Sequence, residues 1–540
     1  MKKRITAVLL GMALLASVFT GCGNQNDAQE GASSGGNSGG QEETGSSTDE
    51  GTDDTPDAGA AADGELVEIV WLWPGDAPEG LQEVEDALNA MMESDIGVHV
   101  TLYPCADWAN QVTLDVSTGT QVDICLTVGG GVGGKVKDGI IQPMDDIIEQ
   151  YGPDIIEDCG DSIKGGYYNG LLYGVPNAWL LGDGYGFYAN ADLLEEYGYG
   201  PGEPGKSYSL EELEEMMVTV KAGEGDSFYP ASINGLKDLT MRSFFEFDLL
   251  SGGSPSTGVL ILRDGFDNTT IENLYETEAY EEYARRMYDW AQKGYISKDA
   301  ATDTSSALDH IPAGDGLGIF YWLDEQNSTY DETMSAIQVN TYTYNMIPKY
   351  ITSDVLGNIL WSIPVTSVNP RKALEALNYI YKHDEAAWLL QFGIEGRDYE
   401  VIEETEIDGK KLRRIKYLSD NPSALPYYQG MGVYGDRFSW PVVGETLDID
   451  YNQKCRESDA GIPDSRRSSA MGYVFVKDSV SSEIAAVDAV REQYEKSVAY
   501  GTVDPDVILP EFRQALKDAG IDKIIEENQR QFDEWLSTQN

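Results

Sequence analysis

The chain has 540 residues, of which 37 are Lys or Arg and 93 are Asp or Glu, giving a formal net charge of −56. That balance excludes a nucleic-acid binder, whose phosphates demand clustered cations, and a protein lying directly on an anionic membrane; it suits a soluble chain outside the cell. Five cysteines are too sparse for a disulfide scaffold. No CxxC occurs, and His99, His310 and His383 lie in no HExxH or comparable motif, so neither zinc hydrolysis nor a Ser-His-Asp triad has support.

The N-terminus opens with Lys2, Lys3 and Arg4, followed by an apolar run from Ile5 to Ser17 and then Phe19-Thr20-Gly21-Cys22. The run is too short to cross a bilayer and remain there, so it reads as a secretory signal. The small pair Thr20-Gly21 before a cysteine resembles the lipobox of bacterial lipoproteins, with Phe19 standing where Leu is usual. That resemblance implies a signal peptide over 1–21, acylation of the Cys22 thiol, and a mature protein held by lipid on the extracellular face of the cytoplasmic membrane. Cys105, Cys125, Cys159 and Cys455 then remain, and four cysteines allow three pairings between which sequence does not choose. Residues 22–64 form a linker: after Cys22 it holds no Lys, no Arg and no large apolar residue. Such a segment cannot bury enough surface to offset its ordering entropy, and as a coil of roughly forty residues it spans on the order of 35 Å.

From Glu65 the chain is long enough for two ordinary domains or one large bilobed one. Val67 to Trp73 reads as a buried strand broken at Pro74-Gly75. A helix over about 80–94 follows, with Leu81, Val84, Leu88 and Met91 at helical spacing. Val98 to Tyr103 is a second strand ended by Pro104, and a helix over about 108–118 leads to a third strand, Asp123 to Val128. Alternating strands and helices predict a parallel sheet covered by helices, with a ligand beyond the carboxyl ends of the strands. Gly129-Gly130-Gly131 stands at one such end; it lacks the Lys and Ser/Thr of a phosphate loop and reads equally as a close backbone approach to ligand or a flexible turn. Later helices begin at Ser209, where Glu212 completes a capping box, near Tyr280, and after Asn369-Pro370. Gly314 to Leu323 and Gly357 to Pro364 read as strands.

Several blocks carry a family resemblance. Val136 to Ile148, Gly170-Leu171-Leu172-Tyr173-Gly174-Val175-Pro176, Gly186-Phe187-Tyr188-Ala189-Asn190-Ala191-Asp192-Leu193-Leu194 and Lys293 to Ala300 resemble, in order, segments of the family-one extracellular solute-binding proteins of ABC importers. Phe392-Gly393-Ile394-Glu395-Gly396-Arg397-Asp398-Tyr399 and the region from Gly472 to Trp535 resemble a lipoprotein subclass of that family. The resemblance implies an α/β, bilobed, type II binding-protein fold with a multi-strand hinge. Lobe 1 is expected over 65–176 with 355–435, and lobe 2 over 177–354 with 436–540. It further implies a receptor, acting as a monomer, that closes on a solute and delivers it to membrane permease subunits.

Sugars offer apolar C–H faces, which aromatic rings cover, and hydroxyls, which need planar polar partners. The chain carries 10 Trp and 32 Tyr, although aromatics are first of all core residues. Those at predicted strand ends or crossovers are Trp73, Trp179, Tyr188, Trp322, Trp361 and Trp440. The polar candidates are Asp107, Thr127, Asn177, Asn358, Asp436 and Arg437. A planar guanidinium at Arg437 can fork to two neighbouring hydroxyls or to a carboxylate, while an Asp436–Arg437 pair on a solvated surface would contribute little. The expected ligand is an oligosaccharide; no catalytic residue, cofactor or metal is assigned. An extracellular glycoside hydrolase, a peptide or other solute receptor, and a receptor feeding a sensor are the alternatives, the first needing two carboxylates on opposite sides of a glycosidic bond.

Overall fold

The computed structural model describes residues 66–539 apart from 129–131, 251–257, 263–266, 324–338, 354, 357–358, 408 and 445–446. The signal, Cys22, the acidic linker, the Gly129-Gly130-Gly131 run and Asn358 therefore lie outside the described residues.

The first lobe begins with β1 (Val67–Pro74), α1 (Leu81–Ile96), β2 (Val98–Cys105), α2 (Trp108–Thr118) and β3 (Cys125–Val128). β1 and β2 run parallel from Val67↔Val98 to Pro74↔Cys105. Pro104 thus sits inside β2 instead of ending it. A proline cannot donate to a ladder, and β2 tolerates it because it is an edge strand paired only with β1. The buried face of α1 runs through Leu81, Val84, Leu88 and Met92, not Met91, and Gly97 ends the helix in the left-handed region at φ 65°. Buried Asn89 ties α1 to β2: its Nδ2 donates to Val100 O at 2.8 Å and its Oδ1 accepts from Val100 N at 2.7 Å. β1 meets β3 through the Trp71↔Ile124 bridge, where Leu72 N donates to Ile124 O at 2.9 Å. After α3 (Pro153–Cys159) comes the short β4 (Val175–Pro176), from which the chain leaves this lobe.

The second lobe is built on β5 (Gly182–Asn190), with α4 (Leu210–Glu224), β6 (Tyr229–Ala231), α5 (Glu278–Gln292), β7 (Gly316–Leu323) and β8 (Thr341–Ile351). Its sheet runs β8-β5-β7-β6, antiparallel around β5 and parallel between β7 and β6. The capping box of α4 is formed, with Glu212 N donating to Ser209 Oγ at 3.2 Å and Ser209 N to Glu212 Oε2 at 2.8 Å. At Gly318 a Cβ would stand 2.1 Å from Tyr188 O, so the β5–β7 pair closes only around a glycine.

The chain returns as β9 (Ile359–Ser362), antiparallel to both β3 and β4, completing a first-lobe order of β2-β1-β3-β9-β4. α6 (Pro370–Lys382) and α7 (Asp384–Phe392) follow, then a hairpin absent from the sequence reading: β10 (Tyr399–Ile407) and β11 (Lys410–Tyr417). Trp388, Phe392, Tyr399 and Ile415 pack it onto α7. β12 (Val442–Val443) joins β11 in parallel, so these residues sit with the hairpin, beyond the expected lobe 1 limit at residue 435. α8 (Tyr451–Ala460), α9 (Ser481–Ala499), α10 (Pro505–Ala519) and α11 (Ile521–Thr538) complete the chain.

Among the described residues the two largest apolar cores are separate. One gathers Ile69, Trp71, Leu126, Trp361, Leu374 and Tyr434. The other joins Phe187, Leu213, Trp290 and Phe320 to Leu509, Phe512 and Phe532 of the C-terminal helices. Among the described residues no disulfide forms: Cys125, Cys159 and Cys455 are buried thiols and Cys105 is half-buried.

Candidate functional site

Open α/β sheets bind ligands beyond the carboxyl ends of their strands, which here are the ends of β1 and β3. The segment Pro426 to Gly435 lies across them. Gly80 N donates to Pro426 O at 2.8 Å, Gln429 Nε2 to Pro74 O at 3.2 Å, and Trp361 Nε1 to Val433 O at 2.8 Å. Tyr434 stacks on Trp73 with centroids 5.2 Å apart and planes 16° apart, while Trp361 stands edge-on to Trp71 at 5.2 Å.

This covering segment decides the fate of several candidates. Trp73 is 1% exposed, and Trp361 and Tyr188 are 0% exposed. They are core residues with no surface to offer a solute, the first two because the Pro426 to Gly435 segment roofs them. Tyr188 packs instead with Ile311 and Ile319. Thr127 is buried and its Oγ1 lies 3.2 Å from Ser362 Oγ, so it links β3 to β9.

Other candidates are brought together where the chain first crosses between lobes. Ala178 and Asp436 form a parallel bridge, with Ala178 N donating to Gly435 O at 3.2 Å and Arg437 N to Ala178 O at 3.0 Å. That register sets Trp179 beside Arg437. The guanidinium carbon lies 4.1 Å from the Trp179 ring centroid and 5.3 Å from that of Trp440. Phe438 backs Trp179 at 5.0 Å. A Cβ on Gly432 would lie 3.5 Å from the Arg437 guanidinium, which places that group against the segment roofing β1. Trp179, Arg437 and Trp440 are all half-buried, so the stack keeps solvent-facing surface. Half-buried Asn177 lies two residues before Trp179, on the other side of the bridged Ala178.

Asp436 points the other way. It pairs with Arg456 of α8 and accepts from Phe438 N at 3.0 Å. Burial raises the pKa of Asp436 and of Asp384. Asp158 at the end of α3 is pushed up to about 7, chiefly by burial and then by the charge of Asp436. The charge of Asp436 acts on both Asp158 and Asp384. The remaining candidates stand apart. Asp107 is exposed ahead of α2, where Oδ1 accepts from Asn110 Nδ2 at 2.9 Å. Trp322 is 44% exposed at the end of β7. Its register partner is Tyr185, three residues after β5 begins, so Trp322 rises from the second lobe beside the crossing.

The crossings are pinned by carboxylates. Asp459 of α8 accepts from Gly182 N at 2.8 Å and Leu181 N at 3.1 Å. Asp248 accepts from Ser353 N at 2.9 Å, from Ser353 Oγ at 3.0 Å and from Ser468 Oγ. Sequence reading missed both, because a carboxylate on a backbone amide has no local signature. Among the described residues no group of three or more His, Cys, Asp or Glu is placed to hold a metal ion.

Residues 75–387 match the family of bacterial extracellular solute-binding proteins, and residues 469–537 match a domain of unknown function. The chain belongs to the bacterial extracellular solute-binding protein family. It is 27% identical over 490 residues to a carbohydrate ABC transporter substrate-binding protein of Streptococcus pneumoniae, a match spanning 88% of this chain and 92% of that one. Its fold is similar to the crystal structure of the N-glycan transport solute binding protein of S. pneumoniae, with a TM-score of 0.71 at 23% identity over 88% of this chain and 100% of that one. An HMO-binding, ABC-transporter-associated solute-binding protein of Bifidobacterium longum infantis aligns over 88% of this chain and 100% of its own, with a TM-score of 0.61 at 15% identity. The fold is the bilobed type II fold of solute-binding proteins.

Proposed function

We propose that this protein is the lipid-anchored substrate-binding subunit of a carbohydrate ABC importer, and that it captures an oligosaccharide by closing its lobes. The observation that carries the reading is the half-buried Trp179–Arg437–Trp440 stack at the crossing between lobes. Its rings offer an apolar face to sugar C–H groups, and the guanidinium edge and Asn177 offer planar donors to hydroxyls. Trp322 supplies a wall from the second lobe. A solute that touches both walls only in the closed form shifts the population toward closure by that differential contact, and the permease then meets a closed shape. The relatives agree in class: the pneumococcal N-glycan protein has been crystallised with Man1GlcNAc and with Man5GlcNAc, and another pneumococcal binding protein with kestose. Cys22 carries the lipid and the acidic segment after it is the leash; Cys22→Ser is expected to release the protein from the membrane fraction into the medium.

Thermal unfolding of the mature protein against oligosaccharides, monosaccharides and peptides tests the assignment. A glycan at a hundred times its Kd should stabilise by about 2.7 kcal/mol and be recovered intact. Cleavage products would establish a hydrolase instead, and stabilisation by peptides alone a peptide receptor.

A further inference from the structure

A line of rings leads away from the crossing along the first lobe. Trp440 meets Phe392 edge-on at 5.5 Å, Phe392 meets Tyr417 at 6.4 Å, and Tyr417 meets Tyr428 edge-on at 5.6 Å. Phe392 is buried beneath it, but the far end is open: Tyr428 is 36%, Met431 36% and Leu418 45% exposed. Tyr428 and Met431 belong to the segment that crosses the end of β1, two residues after Pro426 and two beyond the Gln429 contact with Pro74 O respectively. Met431 adjoins Gly432, whose Cβ position lies 3.5 Å from the Arg437 guanidinium, so this segment reaches the Trp179–Arg437 stack. The loop is held before any ligand arrives: Gln391 Nε2 donates to Gln429 O at 2.6 Å, Met431 N to Gln429 Oε1 at 3.1 Å, and Tyr427 Oη to Leu390 O at 2.6 Å. The hairpin β10–β11 ends at Tyr417 and supplies the outer part of this wall.

From this geometry we infer that Tyr417, Leu418, Tyr428 and Met431 form a second carbohydrate subsite, which takes the distal units of an elongated oligosaccharide whose first units lie on Trp179. The inference rests on the oligosaccharide reading of the crossing. An open apolar patch next to a binding cleft marks a contact surface, and its pinned backbone means that little ordering entropy opposes binding there. Its continuity with the crossing site selects the occupant: a chain of sugar rings that begins on Trp179 and runs along the lobe reaches Tyr428 next. A monosaccharide or disaccharide bound at Trp179 leaves this surface empty.

The test is isothermal titration of the mature protein with two ladders of increasing length: Man1GlcNAc to Man5GlcNAc, and kestose with longer fructo-oligosaccharides. Wild type should bind the long members of one ladder more tightly than the short. Tyr428→Ala and Met431→Ser should each weaken the longest member by roughly tenfold, the size of one good aromatic contact, and leave the shortest within about twofold. Leu418→Ser is a third probe on the hairpin side, less dependent on loop packing. Equal losses for short and long glycans, or no loss for either, overturn the subsite while leaving the oligosaccharide reading in place. Failure of wild type to bind any member of either ladder overturns the reading itself, and the subsite with it.

Discussion

Distant parts of this chain meet at two junctions, one where α9 to α11 join the second lobe and one where strands cross between lobes. At the first, buried Glu495 accepts from Lys237 Nζ at 3.2 Å, Tyr275 Oη at 3.1 Å and Arg491 Nη2 at 3.1 Å. Burial pushes its carboxyl pKa up, but the charges of Arg491 and Lys237 outweigh burial and hold it below the ordinary range. Phe512 and Leu509 continue the same apolar core around it. At the second, Asp459 and Asp248 hold backbone amides and hydroxyls of the crossing segments. A buried charge network inside an apolar core has one good geometry, whereas carboxylates on extended backbone tolerate rotation. The C-terminal helices are thus a welded part of the second lobe, and the proposed lobe closure requires the bend to fall at the crossing.

Breaking the weld should have the largest effect. Glu495→Ala leaves Arg491 and Lys237 buried without their anion and should cost about 3–5 kcal/mol in a single chemical-denaturation transition. Two separated transitions would show that the C-terminal helices fold apart from the lobe. At the crossing, Trp179→Ala should weaken glycan binding by roughly 10- to 100-fold, about 1.4–2.7 kcal/mol by titration calorimetry, with far less effect on stability. Asp459→Ala strips the acceptor from Leu181 and Gly182 and should cost about 1–2 kcal/mol. It should also change the ligand-dependent compaction seen by small-angle scattering if the crossing is the bending point.

A further effect is a pH dependence. Asp158 faces Asp436, Asp384, Glu157 and Arg456, and its folded pKa of about 7 exceeds that of an unfolded Asp. Between about pH 4 and 7 the unfolded chain has lost this proton while the folded one retains it, so stability falls as pH rises through that window. Asp158→Asn should flatten this part of the profile and raise the thermal midpoint at pH 8 more than at pH 5.

Local signals made much of the frame legible. The α1 stripe, the Ser209–Glu212 capping box and the Asn369-Pro370 helix start all act within a few residues, where spacing is informative. Burial at strand ends is not local. Trp73 and Trp361 looked like cleft residues because the segment that roofs them, Pro426 to Gly435, comes from much later in the chain. Trp179 and Arg437 were each visible as candidates, but only the Ala178↔Asp436 bridge puts one on the other. Pro104 misled because strand position, edge or centre, depends on the whole sheet. The hairpin was readable: Asp408-Gly409 between Glu-rich and Lys/Arg-rich runs is a strong turn signal, and the ladder indeed pairs Glu404 with Arg413 and Glu403 with Arg414.

The cysteines have a practical consequence. Burial pushes the Cys125 thiol up to about 12 and raises that of Cys159 as well, and Cys455 is fully enclosed, so all three are shielded from electrophiles. Cys105 alone of the four is half-buried, and it sits at the carboxyl end of β2, where its carbonyl accepts from Gly75 N at 3.1 Å. If lipid caps Cys22 as proposed, a maleimide dye should label the unaltered protein at one place, at the carboxyl end of β2 in the first lobe. A change in that dye's emission on adding solute would report lobe closure in real time, making the native chain its own optical sensor.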